Sequence, residues 1–426
     1  MKIGLEVHVA LPTKTKLFCS DPTSETAEPN TNICPTCMGF PGSRPVLNKE
    51  AVRFAKSISI AFNCKVNKLI SFIRKVYFYP DLPKSFQITQ LAESIGQGGL
   101  IILEKKQIRL RRIQIEEDPA KIIRADGYSF IDFNRSGIPL VEIVTEPDIE
   151  TEEELRETLF TLRTILYYLG VDINQEIKAD LNISLGEERI EVKNVTGIKN
   201  LITAMEYEIH RQNEIIKKGG KPEKETRLFD EQSSTTKSSR KKESEEEYGF
   251  IFEPDLGVYD TTDLKETPAT ISTDAARLFA KKYDSNYKTI LELIAFDRGA
   301  LSLIQEYEGK YDFKTIIATL EVIKRFDEQR DSRIFEGIAK LVKDNIDVTK
   351  AFIEKLKKRE KIEIKLHSQE EIDNAIKEML LSEKDIIKKY KHNKNVANFI
   401  IGMIAKRYEI QPRAVSSRID EIINKL

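Results

Sequence analysis

Glu6 and His8 lie two residues apart in GLEVHVAL (4–11), a segment that otherwise alternates apolar side chains. Leu5, Val7, Val9 and Leu11 fall on one face of the strand this pattern predicts, and Glu6 and His8 fall on the other. On a solvated face such a pair needs no explanation. On a face that lines a cavity, the same spacing suits a metal site, because both ligand-type side chains project the same way. Two further segments supply carboxylates. QIEEDPA (114–120) sets Glu116, Glu117 and Asp118 at a strand end, and PLVEIVTE (139–146) sets Glu142 and Glu146 on one face. Brought together, these acids would suit Mg²⁺ carrying a nucleotide phosphate, since that ion favours hard oxygen ligands. Periodicity does not show that the strands meet. Ordinary ion pairing with Arg109, Arg111, Arg112 and Lys121 accounts for the same residues.

RKVYFYPDLPKSFQITQ (74–90) reads as a rigid loop set by two prolines. Arg74, Lys75 and Lys84 could receive phosphate and Tyr77, Phe78 and Tyr79 could stack on a base; an aromatic core cluster with solubilising lysines is the preferred reading of this window alone. The four cysteines are Cys19, Cys34, Cys37 and Cys64. Cys34 and Cys37 form a C-x-x-C knuckle, a zinc pattern when a second pair exists. Cys19 is followed by Asp21, so Cys19, Asp21, Cys34 and Cys37 make a mixed structural site, with Cys64 as the other candidate for the fourth ligand and buried free thiols as the alternative to both.

The elements that must position these groups follow from pattern. Strands are expected at 4–11, 108–117 and 139–146. A helix follows, opened by a Thr151/Glu154 capping box and closed at Gly170, with Leu155, Leu159, Leu162, Leu166 and Leu169 at helical spacing. A strand pair is expected at 178–184 and 189–195, then a helix over 198–217 ending at Gly219-Gly220. Residues 231–247 are polar and low in complexity and read as a mobile loop. From 263 onward the sequence reads as helical throughout, with a break near Gln329–Ser332.

A length of 426 residues and 40% hydrophobic content predict a soluble globular chain of two to four domains. The net charge of −1 hides an asymmetry: residues 331–426 carry 21 Lys+Arg against 16 Asp+Glu, a mild electrostatic signal for RNA. Glu6 and His8 interrupt the N-terminal apolar pattern, which argues against a signal peptide. No stretch reaches the ~18 apolar residues of a membrane span. A cytoplasmic location, with thiols reduced or on metal, is expected. There is no G-x-x-x-x-G-K-[ST] phosphate loop, no G-x-S-x-G elbow and no glycine- and serine-rich amidase signature.

Taken together, GLEVHV (4–9), KLFC (16–19), PNTNICPTCMGFPGSRPVLNK (29–49), YFYPDLPKSFQITQ (77–90), IEEDPAK (115–121), DFNRSGIPLVEIVTEPDI (132–149), EVKNV (191–195), ETRLFDE (225–231) and EPDL (253–256) resemble the B-subunit family of aspartyl/glutamyl-tRNA amidotransferases. The resemblance is strong to about residue 256, and NKNVANFIIGMIAKRY (393–408) resembles the family's tRNA-binding tail. It implies an α+β fold: an antiparallel-sheet-based cradle domain (1–262), an all-helical domain (263–330) and a small helical tail domain (331–426) that grips tRNA. It implies ATP-dependent phosphorylation of the side-chain carboxylate of misacylated Glu-tRNA or Asp-tRNA, then amidation by ammonia. Glu6, His8, Glu116 and Glu142 match the family's Mg²⁺-binding set; Lys84, Glu117 and Asp118 are further candidates for the same ATP pocket. An amidase A subunit and a small C subunit are the implied partners in a heterotrimer. Asp21 departs from the family's second C-x-C cysteine and puts zinc in doubt, and 232–248 departs from the usual arginine- and aromatic-containing stretch. The related archaeal E type carries a large inserted domain for which 426 residues leave no room.

Overall fold

The protein is described by a computed structural model covering residues 1–24, 28–125, 127–171, 177–186, 188–241, 249–265, 272–296, 298–326, 332–344, 346, 348–360, 368–382, 395–408 and 412–425. It divides into two compact units, Met1–Arg298 and Gly299–Leu426.

The first unit is built on strands β1 (Lys2–Ala10), β2 (Lys65–Val66), β3 (Leu69–Ser71), β4 (Ile73–Val76), β5 (Phe86–Thr89), β6 (Gly96–Gln97), β7 (Leu100–Ile102), β8 (Gln107–Glu117), β9 (Lys121–Ala125), β10 (Tyr128–Asp132), β11 (Pro139–Thr145), β12 (Lys178–Ser184), β13 (Ile190–Thr196), β14 (Glu225–Asp230), β15 (Thr235–Lys241), β16 (Gly249–Phe252) and β17 (Val258–Asp260). Its helices are α1 (Lys49–Ala61), α2 (Glu152–Tyr168), α3 (Ile198–Lys217), α4 (Ser272–Lys282) and α5 (Tyr287–Phe296). The main sheet runs β15-β14-β13-β12-β1-β11-β8-β6-β2, with β7 also on β8. The β13–β14 pair is parallel, and the other described pairs are antiparallel. The α+β expectation is met.

One face of this sheet is apolar. Leu5 and Val7 of β1, Ile113 and Ile115 of β8, Val141 and Ile143 of β11, Leu181 of β12 and Val192 of β13 join one core with Ile58 of α1, Leu159 of α2 and Leu201 of α3. Full burial of each such side chain contributes roughly 1.5–3 kcal/mol, so the alternation in β1 fixes which way Glu6 and His8 face. Side-chain caps start the first two helices. The Asn48 side chain accepts from Glu50 N and Ala51 N, and the Thr151 hydroxyl accepts from Glu154 N. Glu154 closes its half of the box one residue early, on Glu150 N at 2.8 Å. Gly170, with φ +95°, ends α2 in the left-handed region as the pattern predicts.

Two expectations are corrected. Residues 235–241, inside the stretch read as a mobile loop, form β15 and pair antiparallel with β14; Thr236 hydrogen-bonds the buried Glu208 and Arg227, so a polar sequence is held by a buried ion pair rather than an apolar face. The remainder of that stretch, from 242, lies outside the described residues. Helix α1 lies where no element was expected from the pattern, although Ala51, Val52, Ala55 and Ile58 behind Asn48 carry its spacing.

The second unit is helical: the rest of α6 (Arg298–Tyr307), then α7 (Phe313–Arg325), α8 (Ser332–Lys343), α9 (Lys350–Lys358), α10 (Gln369–Ser382), α11 (Asn395–Tyr408) and α12 (Pro412–Lys425). Tyr307 stacks on Phe335 at 4.3 Å. Ile376, Leu380, Ile400, Ile404, Val415 and Ile419 form the core of α10–α12. The expected break near Gln329–Ser332 lies, up to residue 331, outside the described residues. Among the described residues no helix is long and apolar enough to cross a membrane.

Candidate active site

Strand pairing brings three of the four principal candidates together. His8 stands opposite Glu142 in the β1–β11 register, and Leu140 of β11 stands opposite Glu116 of β8. Side chains on one face of neighbouring strands meet at such positions. His8 Nε2 lies 3.4 Å from Glu116 Oε1 and 3.6 Å from Glu142 Oε1. Glu116 and Glu142 are buried, while His8 keeps about a third of its side chain exposed. The Thr89 hydroxyl reaches Glu116 Oε2 at 3.4 Å and takes a hydrogen bond from Gln114 Nε2 at 3.4 Å. Glu142 Oε2 is buried with no hydrogen-bond partner, and an unmatched carboxylate oxygen there carries a substantial desolvation cost.

Electrostatics reflect this crowding. Burial, then the charge of Glu116, pushes the Glu142 carboxyl up to about 7, with His8 opposing and Glu6 adding to the push. For His8 burial pulls the other way, yet Glu116, Glu142, Asp180 and Glu6 together hold its imidazolium above the ordinary value.

Glu6 is placed one step along the same face. It stands opposite Asp180 of β12 and accepts from Asn182 Nδ2 at 2.9 Å. Its carboxylate groups with Asp180 and Glu191. Lys193 lies 3.1 Å from Asp180 and 3.5 Å from Glu191. Burial opposes this lysine's charge, but Asp180, Glu191 and Glu6 keep its pKa raised. Asp180, Asn182, Glu191 and Lys193 were not singled out from sequence. The alternation of KADLNIS (178–184), with Asp180 and Asn182 on one face, is the signal that marks two of them. Glu146 does not join: a bulge between Val144 and Thr145 breaks the alternation, and Arg111 binds Glu146 at 3.0 and 3.1 Å.

Lys84 and Glu117 sit on the reverse side of β8's end. Lys84 Nζ is 2.5 Å from Glu117 Oε2, and Ile88 N donates to Glu117 Oε1. Both line a cavity with Phe18, Arg74, Phe86 and Glu253. Asp118 is engaged by Arg135 through both carboxylate oxygens. None of these three candidates is part of the His8–Glu116–Glu142 group.

The knuckle closes on itself. Ligand atoms of Cys19, Asp21, Cys34 and Cys37 lie within 4.8 Å of one another. Cys64 is elsewhere, its thiol donating to Gly98 O at 2.9 Å, so Asp21 is the fourth member of the group. A hydrogen bond from Cys19 lowers the Cys37 thiol to about 6 against the opposing effect of burial. The fully buried Lys16 helps, its ammonium 3.8 Å from the Cys37 sulfur.

Residues 1–267 match the family described as GatB/GatE catalytic domain. Across its whole length the chain is 36% identical to the B subunit of the aspartyl/glutamyl-tRNA(Asn/Gln) amidotransferase of Sulfolobus acidocaldarius, covering 99% of that protein. It is 37% identical to the same-named protein of Saccharolobus solfataricus, with equal coverage. To the same-named protein of Persephonella marina it is 45% identical over 60% of this chain and 57% of that protein. With a family match over the whole strand-bearing region and end-to-end similarity to these proteins, the chain belongs to the GatB/GatE family, in its group of aspartyl/glutamyl-tRNA(Asn/Gln) amidotransferase B subunits.

Proposed function

We propose that this subunit of a tRNA-dependent amidotransferase activates the side-chain carboxylate of misacylated Glu-tRNA(Gln), Asp-tRNA(Asn) or both with ATP, and amidates it with ammonia. A carboxylate oxygen attacks the γ-phosphorus of ATP, ADP leaves, and an acyl phosphate forms. Ammonia then attacks the acyl carbon, phosphate leaves, and the nitrogen loses a proton to give the amide. Phosphorylation supplies the leaving group that a carboxylate lacks. The lack of an amidase signature agrees with a division of labour in which a partner A subunit releases ammonia from glutamine and a small C subunit completes a cytoplasmic heterotrimer.

The observation that carries this reading is the buried, unpartnered Glu142 Oε2 beside Glu116 and His8. Two carboxylates and an imidazole, their ligand atoms within 4.8 Å, fit Mg²⁺, with Glu6 next to them on the same face. Such an ion, when bound, neutralises phosphate charge. The carboxylates are themselves held in place: the Thr89 hydroxyl, which accepts from Gln114, meets Glu116, and Asn182 donates to Glu6. The knuckle's three sulfurs and one carboxylate fit zinc in a structural role. About one zinc per chain is expected by elemental analysis, and its loss from Cys37→Ser; a wild type without zinc overturns that assignment.

The test uses the protein assembled with its A and C partners, Glu-tRNA or Asp-tRNA, ATP, Mg²⁺ and free ammonium in place of glutamine. Amide is expected, and hydroxylamine is expected to trap the acyl phosphate as a hydroxamate. tRNA binding without ATP cleavage on either substrate overturns the reading.

A further inference from the structure

Lysine is almost never fully buried without a partner for its charge, yet Lys16, between β1 and α1, is 0% exposed. Its ammonium donates to Asn32 O at 2.8 Å and to Phe133 O at 3.5 Å, and it lies 3.8 Å from the Cys37 sulfur. The two carbonyls satisfy its protons but are neutral. Among the described residues no carboxylate lies within ion-pair distance of it. Taking an ammonium out of water costs several kcal/mol, so the offsetting charge falls to the third contact, the knuckle.

The knuckle has that charge to give when a metal is bound. Cys19, Cys34 and Cys37 ligate as thiolates and Asp21 as a carboxylate, and around a divalent ion they leave a net double negative charge. Asp21 Oδ2 lies 3.2 Å from the Cys37 sulfur, so the lysine meets the one sulfur that also meets the carboxylate. A donor held against a metal ligand orients it and tunes the metal's affinity. Were Lys16 only a pillar under the two carbonyls, a neutral donor would serve without the cost of burying a charge. The lysine's stem makes a further contact. Gly137, with φ +87°, approaches so closely that a Cβ there would lie 3.4 Å from Lys16 Cδ, and Leu17 N donates to Gly137 O at 2.8 Å. Pro139, two residues on, begins β11, the strand of Glu142. The knuckle and the entry to β11 therefore share one side chain.

We infer that Lys16 is the counter-charge of the metal-loaded knuckle, a positioning residue whose ammonium offsets the excess negative charge of three thiolates and a carboxylate on zinc and so sets how tightly the metal is held. This rests on the zinc assignment given above, and the experiment tells failure of the one from failure of the other.

In the assembled heterotrimer, Lys16→Met, Lys16→Gln and Lys16→Arg are compared with wild type. Competition with the chromogenic chelator pyridylazoresorcinol reports zinc affinity, and cobalt(II) in place of zinc reports the sulfurs through their charge-transfer absorption. Both neutral variants are expected to hold zinc about tenfold to a hundredfold more weakly, the range for losing a group that supports a metal ligand. They are expected still to reach wild-type zinc content in excess zinc, which a misfolded knuckle would not. Their cobalt band is expected at longer wavelength, because a positive charge beside a thiolate lowers the energy of its lone pairs. Lys16→Arg, which keeps the charge, is expected to recover part of both effects. Wild-type zinc affinity in Lys16→Met, or in Lys16→Gln, which keeps a donor without the charge, overturns the inference and leaves the zinc assignment standing. An unmoved cobalt band in both neutral variants does the same. A wild type that holds neither metal overturns the assignment and the inference together.

Discussion

Glu116→Gln will form amide at least about 100-fold more slowly than wild type in the assembled complex, and up to about 1,000-fold, a range typical of losing one electrostatic group at a reacting centre. The substitution is nearly isosteric. Glu116 is buried, its Oε1 is 3.4 Å from His8 Nε2, and its Oε2 meets the Thr89 hydroxyl at 3.4 Å. An amide keeps that volume and one acceptor but removes the negative charge, so the fold is expected to persist while a hard cation loses a ligand. Amide formation from free ammonium isolates this step from glutamine hydrolysis. The hydroxamate trap should fall in parallel, and tRNA affinity should hold within about twofold. A variant that forms amide at the wild-type rate removes Glu116 from the site while leaving the protein's function standing.

Glu142→Gln should behave in a way that looks paradoxical for an active-site change: in EDTA at pH 8 it should be more stable than wild type. The Glu142 carboxyl is raised from its ordinary 4.5 to about 7, first by burial and then by Glu116. A carboxyl whose folded-state pKa is raised favours the fold when protonated. That contribution is fully present below about 4.5 and is lost as pH rises through about 7. Glutamine never ionises, so the variant escapes the loss. The difference is expected to be on the order of 2–3 kcal/mol at pH 8 and to vanish near pH 4.5. Urea denaturation at the two pH values measures it. Added Mg²⁺ should stabilise wild type at pH 8 and leave the variant nearly unmoved. A variant less stable than wild type at pH 8 would show that the Glu142 charge is already compensated within the fold.

Strands with a buried apolar face were legible in the sequence because period-two burial leaves a direct record. The alternation at Leu5, Val7 and Val9 gives both the strand and the facing of Glu6 and His8. The capping threonine and Gly170 likewise mark both ends of α2. Strand order was not written there. Nothing local says that β1, β11 and β12 are neighbours, so the company of Glu6 and Asp180 is a tertiary fact. The bulge that diverts Glu146 is one inserted position in the β8–β11 ladder, invisible to a count along β11 alone. β15 escaped because Glu208 and Arg227 hold it through polar groups; composition then reads as loop where pairing makes strand. The metal-type groups divide the same way. C-x-x-C with a nearby Asp is compact in sequence, whereas the triad draws on three strands and needed family likeness to be assembled. Family membership rests on the match over residues 1–267.

The central place of β1 between β11 and β12 also bears on how the chain is made. Synthesis runs from N- to C-terminus, so Lys2–Ala10 leaves the ribosome well before either neighbour, Pro139–Thr145 or Lys178–Ser184. At ordinary elongation rates of roughly 5–20 residues per second, the wait is on the order of ten to thirty seconds. Throughout it Leu5, Val7 and Val9 have no sheet to join, and the strand's backbone donors are open to other chains. The segment that carries two of the four principal site candidates is therefore also the one most in need of a chaperone's cover during translation, and pulse-labelled nascent chains should show such binding released once residue 184 has emerged.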